Sequence, residues 1–151
     1  MLVAVGETIP SMSSEQIDLA IKAQEFMLER EQIDIRTYHT LHGGVYTRTI
    51  LLQKDEALTG ATIKVPTTLI VSGSIAIYIG SDVAYLSGYN VIPASAFRKQ
   101  VIVAIEDTYI TMVMETKSTT VTEAEDEFTD ESHLLMSRKK DAKNHIVITG
   151  E

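Results

Sequence analysis

Four cations, Arg48, Lys64, Arg98 and Lys99, together with the hydroxyl-bearing residues Tyr46, Thr62 and Thr67, form the set of side chains in this sequence best suited to holding an anion. Lysine and arginine only donate hydrogen bonds, so a cluster of them favours a carboxylate or phosphate partner. Alternation along an extended chain puts Tyr46 and Arg48 on one face. Likewise Thr62 and Lys64 share a face, while Ala61, Ile63 and Val65 take the other. If these faces line an enclosed mouth, they make a cationic pocket for a small anionic ligand. If they look outward, they are solvated or pair with acidic residues of a neighbouring subunit, and this is the default expectation.

Other chemistries find less support. His39 and His42 form a His-x-x-His pair beside Gly43-Gly44, but no third ligand stands nearby and zinc takes at least three from the protein. The expectation is a loop whose histidines bond to backbone while the glycines turn the chain into the first strand. His133 and His145 lack a catalytic setting. The carboxylates of Asp55-Glu56 and Glu106-Asp107 are adjacent on an extended chain, so they point apart and read as turn residues rather than an acid/base pair. The absence of cysteine excludes disulfides, thiolate nucleophiles and zinc-thiolate sites. Nucleophile elbow, phosphate loop and dinucleotide fingerprint are all missing. The reading is a protein that is not an enzyme and carries no cofactor.

The elements that must position these residues follow from periodicity. A chain of 151 residues, 44% hydrophobic and 23% charged, has the size and balance of one globular domain. Its 13 basic and 21 acidic residues give a net charge of -8, which disfavours general binding to nucleic acid. The opening MLVAVGETIP is too short and lacks the basic flank of a signal peptide or membrane span, so synthesis in the cytoplasm is expected. Residues 1–44 read as an arm, loose or pinned, followed by a helix. Ser13-x-x-Gln16 has capping-box form, and Ile17, Ala20, Ile21, Met27 and Leu28 continue at helical spacing to about Arg30.

From Val45 to Lys117 the period changes to that of strands. Eight short β-rich runs follow one another: VYTRTILLQ, ALTGATIKV, TTLIVSG, SIAIYIG, DVAYLSG, NVIPA, QVIVAIE and TYITMVME. Strands without intervening helices predict a small antiparallel sandwich or barrel. The expected turns are Lys54-Asp55, Ser72-Gly73, Gly80-Ser81, Ser87-Gly88 and Glu106-Asp107. Residues 118–151 form a third, acidic segment. Thr120-x-x-Glu123 and Thr122-x-x-Glu125 fit helix starts, and the acidity reads most simply as a solvated face. Ile146-Val147-Ile148 predicts an edge strand added to this subunit or to another, and an unpaired edge there would be an association site.

The runs Gly60-Ala61-Thr62-Ile63-Lys64, Leu69-Ile70-Val71-Ser72-Gly73 and Gly88 to Arg98 resemble the two-motif core of the cupin superfamily of jelly-roll barrels. In that superfamily, histidines and a carboxylate from the two motifs hold a metal ion in the barrel mouth. The resemblance places Gly60, Thr62, Pro66 and Arg98 at the ligand positions, and none is a metal ligand; a guanidinium has no lone pair to give. HTLHGGVYTRTILL, GATIKVPTTLIVSG, GYNVIPASAFRKQ and EFTDE further resemble small cupin-like proteins carried by tailed bacteriophages and prophages. That likeness implies a metal-free barrel acting as a non-catalytic structural or interaction component of the virion, as capsid decoration or as a head or tail accessory. Its implied partners are its own copies in a homo-oligomer and other virion proteins. An accessory protein binding a small anion in the mouth is the alternative, and a metal enzyme with unusual ligands is a third reading.

Overall fold

The computed structural model describes residues 8–151, and residues 1–7 of the arm lie outside that range. The order of elements is α1 (Ser14–Leu28), β1 (Thr37–His42), β2 (Val45–Leu52), β3 (Ala57–Thr59), β4 (Thr67–Ile79), β5 (Asp82–Ala94), β6 (Val101–Ala104), β7 (Thr108–Glu115), α2 (Val121–Phe128), two short 3₁₀ turns (Ser132–Leu134 and Met136–Arg138) and β8 (Asn144–Ile148). The fold is mainly β. One curled sheet runs β3-β6-β4-β7-β2-β1-β8, with β5 on the other side of β4. All pairings are antiparallel except β1 with β8, which is parallel, so the sheet is mixed rather than purely antiparallel. No helix among the described residues is long and apolar enough to cross a membrane.

Helix α1 begins where the sequence places it. Ser13 Oγ accepts from the Gln16 amide and the Gln16 side chain accepts from the Ser13 amide, so the capping box is complete. Ala20 is buried, Ile17 packs on the main core, and Met27 Sδ accepts from Thr59 Oγ1 at the edge strand β3. The described part of the arm is pinned. Ile9 is buried and bridges Ala94 at the end of β5, and Met12 is buried beside it.

Two of the expected turns are not turns. Ser72-Gly73 and Ser87-Gly88 lie inside the 13-residue strands β4 and β5, where Gly73 and Gly88 face one another across the pair. Both have positive φ, +144° and +79°. The bend there lets β4 change neighbours: it pairs with β7 up to Ser72 and with β6 from Ile75 onward. Into the corner fits Thr108, whose hydroxyl accepts from the Ser74 amide. A Cβ on Gly73 would stand 2.7 Å from the Asp107 carbonyl oxygen and overlap the Thr108 side chain. Gly73→Ala is therefore expected to cost about 1–3 kcal/mol through backbone strain and crowding. Chemical denaturation against the parent protein measures it, and a loss below the error of that experiment would mean that the corner accommodates a side chain without strain.

Two further differences concern boundaries. The sheet begins at Thr37, ahead of Val45, because TYHTLH alternates inward and outward as a strand. Only Ala57–Thr59 of ALTGATIKV is a strand; residues 60–66 run irregularly, with one bridge from Ile63 to Arg98.

The register aligns inward-facing residues in rows. Leu41, Tyr46 and Met114 form one; His39, Arg48, Met112, Leu69 and Ile92 form the next; Thr37, Ile50, Ile110, Val71 and Asn90 form a third. Deeper residues such as Leu52, Ile75, Ile77, Leu86 and Ala104 make the main core. The first two rows, at the mouth, include a second cluster that is completed by α2 through Ala124 and Phe128.

Candidate functional site

The barrel mouth is the place where a ligand or metal would be held, and the chain's own C-terminal segment fills it. Thr120 caps α2 by accepting from the Glu123 amide, and the helix ends at Thr129, whose amide donates to the Glu125 carbonyl. One face of this helix carries Ala124, Glu125 and Phe128, all buried. Phe128 lies parallel to Tyr46 with ring centroids 6.3 Å apart and faces the Arg48 guanidinium at 5.6 Å. The acidity of this segment is therefore only partly a solvated face, because Glu125 is 2% exposed.

Around Phe128 runs a closed chain of polar groups. Arg48 donates to Glu125 Oε2 at 2.8 Å, to Ser137 Oγ at 3.0 Å and to Tyr46 Oη at 3.3 Å. Ser137 Oγ also bonds Glu125 Oε2, and Arg138 Nε donates to Glu125 Oε1 at 3.0 Å. Because Tyr46 Oη accepts from Arg48, its proton is free for His39 Nδ1, 2.7 Å away. Asn144 Nδ2 donates to the Ser137 carbonyl, which leaves Oδ1 to accept from His39 Nε2 at 2.7 Å. His39 is thus a neutral imidazole carrying its proton on Nε2. The ring links β1, β2, α2, the second 3₁₀ turn and β8, and each polar group finds its partner inside this chain.

The electrostatics agree. Burial would raise the Glu125 carboxyl, but hydrogen bonds from Ser137 and Arg138 and the charge of Arg48 hold it below the usual glutamate range. Burial lowers the His39 imidazole, opposed by its bond to Asn144. Burial likewise raises the Tyr46 phenol. None of the three is poised to exchange a proton near neutrality.

The sign for stability follows. A native His39 with a depressed pKa binds fewer protons than the unfolded histidine, so stability falls as pH drops below about 6.5. Glu125 acts in the same direction at lower pH, its contribution being present above the unfolded glutamate value and lost as pH falls through its folded one. The melting temperature is expected to be flat just above neutrality and to decline below it. In His39→Gln the decline between pH 6.5 and 5 should flatten, while the drop at lower pH should persist. An unchanged profile in that variant would remove His39 as the cause.

The four cations end in different places. Arg48 faces the mouth, as the inward arrangement required, and binds Glu125. Lys64 does not; it sits at the surface, where Nζ reaches Asp130 at 2.6 Å. Lys99 is fully buried and pairs with Glu131 at 2.9 Å. Arg98 is buried without a carboxylate, donating to the Ser95 carbonyl at 2.7 Å and to Thr67 Oγ1 at 2.6 Å. Burial lowers its pKa to about 10. Three of the four are thus neutralised by residues 125–131 of the same chain, rather than by a neighbouring subunit. Sequence reasoning missed these partners because they lie far along the chain. The one available signal was an acidic segment following a barrel with cations at its mouth.

Histidines 39 and 42 do not converge. They are three apart on a strand, so His39 points inward and His42 outward, where His42 Nδ1 lies 2.7 Å from Thr149 Oγ1. The positions implied for a cupin metal do not fit one: glycine and proline offer no side-chain donor, and the Arg98 guanidinium is a cation whose Nε is buried without a partner. Among the described residues, no three histidines or carboxylates are arranged so that they could hold a metal ion. The open depression beside the plug, about 400 Å³, is lined by Glu115, Thr116, Lys117, Ser118, Glu123 and Glu127, an acidic setting that repels anions.

No family model matches the sequence, and no curated protein does. Solved structures similar to this chain include a cupin 2 conserved barrel domain protein from Leptotrichia buccalis, at 18% identity over 60% of this chain and 46% of that one, with a TM-score of 0.46. A cupin-2 domain protein from Shewanella frigidimarina matches at 14% identity over 62% and 91%, TM-score 0.40. A variant of salicylate 1,2-dioxygenase from Pseudoaminobacter salicylatoxidans matches at 12% identity over 72% and 37%, TM-score 0.47. The likeness is one of fold alone.

Proposed function

We propose that this protein is a non-catalytic assembly module, a curled β-sheet half-barrel that works through its outer surfaces and edges as a component of a bacteriophage particle. The observation that carries the non-catalytic part is the filled mouth: Phe128 occupies it, and Glu125 neutralises Arg48 there. With Arg48 and Lys99 already paired to carboxylates of the same chain, the chemistry of the mouth is directed at holding itself shut rather than at taking a substrate. The outer face supports an interaction role. Tyr85, Tyr89 and Tyr109 present their rings to solvent from β5 and β7, and tyrosine is a residue well suited to protein contacts. The particle assignment draws on the likeness of the quoted sequence runs to small proteins of tailed phages.

Mass spectrometry of purified particles from a phage or induced prophage encoding the chain tests it. The expected result is the protein in a fixed, stoichiometric copy number. Its absence from particles overturns the virion role. A thermal-shift panel of phosphates, nucleotides and carboxylates should be silent for the wild type, and a shift abolished by Arg98→Ala would instead establish an anion-binding protein.

A further inference from the structure

The strand that ends the sheet is built as an unfinished one. Strand β8 pairs with β1 on one side, and no described strand pairs with it on the other. The Lys143 carbonyl accepts from the Thr37 amide and the Thr149 amide donates to the Leu41 carbonyl, so odd-numbered residues direct their backbone groups at β1. Asn144, Ile146 and Ile148 therefore direct theirs outward, away from the sheet. In the parallel register Ile146 lies beside His39 and Ile148 beside Leu41, both inward-facing and buried. Ile146 and Ile148 thus continue the inner apolar face past the edge of the barrel, where they remain 50% and 49% exposed. An exposed apolar edge with free donors and acceptors is a template for another strand.

We infer that the other strand is β8 of a second copy, joined antiparallel about a two-fold axis at Val147. This rests on the reading of the chain as an assembly module and names the edge through which copies join. Face and charge select the arrangement. A two-fold at Val147 sets Ile146 opposite the second copy's Ile148 on the same face, so four isoleucines form one apolar patch across the seam. It also sets Lys143 opposite Glu151, attractive at both ends. A two-fold at Ile146 would place Asp141 against Glu151, like charge against like. One at Ile148 would set Ile146 opposite Gly150 and break up the isoleucine patch. Lys143 already approaches Asp34 at 2.6 Å, and both side chains are more than half exposed, so the cation is available at the surface to a further carboxylate.

The arrangement makes Val147 face its own symmetry mate in a pair without mutual hydrogen bonds, where Cα atoms approach to about 4.5 Å, within disulfide range. The chain has no cysteine, so a single introduced thiol is unambiguous. Val147→Cys in the full-length protein is expected to form a covalent dimer on mild oxidation, while Ser87→Cys on β5 should form no disulfide cross-link between copies. The wild type should have a dimer's mass in sedimentation, and Ile146→Pro, which removes an outward donor while leaving the bonds to β1, should have a monomer's mass with an unchanged circular dichroism spectrum.

If that variant misfolds, charge reversal substitutes for it: Lys143→Glu alone and Glu151→Lys alone should each dimerise more weakly, and a mixture of the two should recover. A wild type that sediments as a monomer, or a dimer indifferent to all of these changes, overturns the inference. The particle experiment reads something separate. Stoichiometric presence in particles together with a failed cross-link removes the β8 seam and leaves the assembly role standing.

Discussion

Glu125→Ala is expected to destabilise the fold by about 3–5 kcal/mol, because it strands the Arg48 guanidinium in a buried site without its carboxylate. Arg48 side-chain exposure is 14% and that of Glu125 is 2%, so neither charge has water to fall back on. The same substitution also removes the bonds that Glu125 makes with Ser137 and Arg138, two of those that hold the second 3₁₀ turn against α2. Urea unfolding of the single variant, of Arg48→Met and of the double variant Arg48→Met/Glu125→Leu measures the effect. The double change should recover much of the loss, since removing both charges also removes the cost of burying them. If the single variant unfolds like the wild type, Glu125 is not what closes the mouth.

Phe128→Ala should be comparably severe, about 3–5 kcal/mol, from lost burial and the cavity left between Tyr46, Met112 and Met114. For a chain of this size that corresponds to a fall of roughly 10 °C in melting temperature. Phe128→Leu keeps most of the volume and should cost far less, about 1.5 kcal/mol or below. Because Phe128 anchors the segment that returns from α2 toward β8, limited proteolysis of the alanine variant is expected to cut between residues 129 and 143 first. Equal protease resistance in the two variants would mean that the plug is held by its polar ring alone.

Legibility in the sequence tracked how local the cause was. The N-caps at Ser13 and Thr120 bind groups three residues apart, and both helices begin there. Strand periodicity through VYTRTILL and TYITMVME is a two-residue signal, and those strands stand as read. Gly73 and Gly88 misled because a glycine that permits a turn and one that permits a bend inside a strand look alike. What separates them is Thr108, about 35 positions away from Gly73 in the chain, wedged against it. Likewise TYHTLH alternates like a strand, but its place in the sheet comes from β2 and β8, which flank it.

The candidate site was legible in half. The resemblance put Gly60, Thr62, Pro66 and Arg98 at the ligand positions of a cupin, and residue type alone decides that none of them suits a metal. Strand alternation placed Arg48 with Tyr46 on one face. It did not show what Arg48 meets: its partner Glu125 is 77 residues away, and whether an acidic helix is solvated or folded inward depends on the volume left over in the mouth.

The alternation of the strands and the helix caps were therefore fixed by residue identity and short-range spacing. Tertiary structure alone decided that the acidic tail is the barrel's own plug, that Lys99 and Arg48 are spent on it, and that Ile146 and Ile148 reach the sheet's edge still half in water. The physical reason is the same in each case. A charge or an apolar side chain has a preferred kind of neighbour written into its chemistry, but which neighbour it obtains is settled only when distant segments compete for the same buried space.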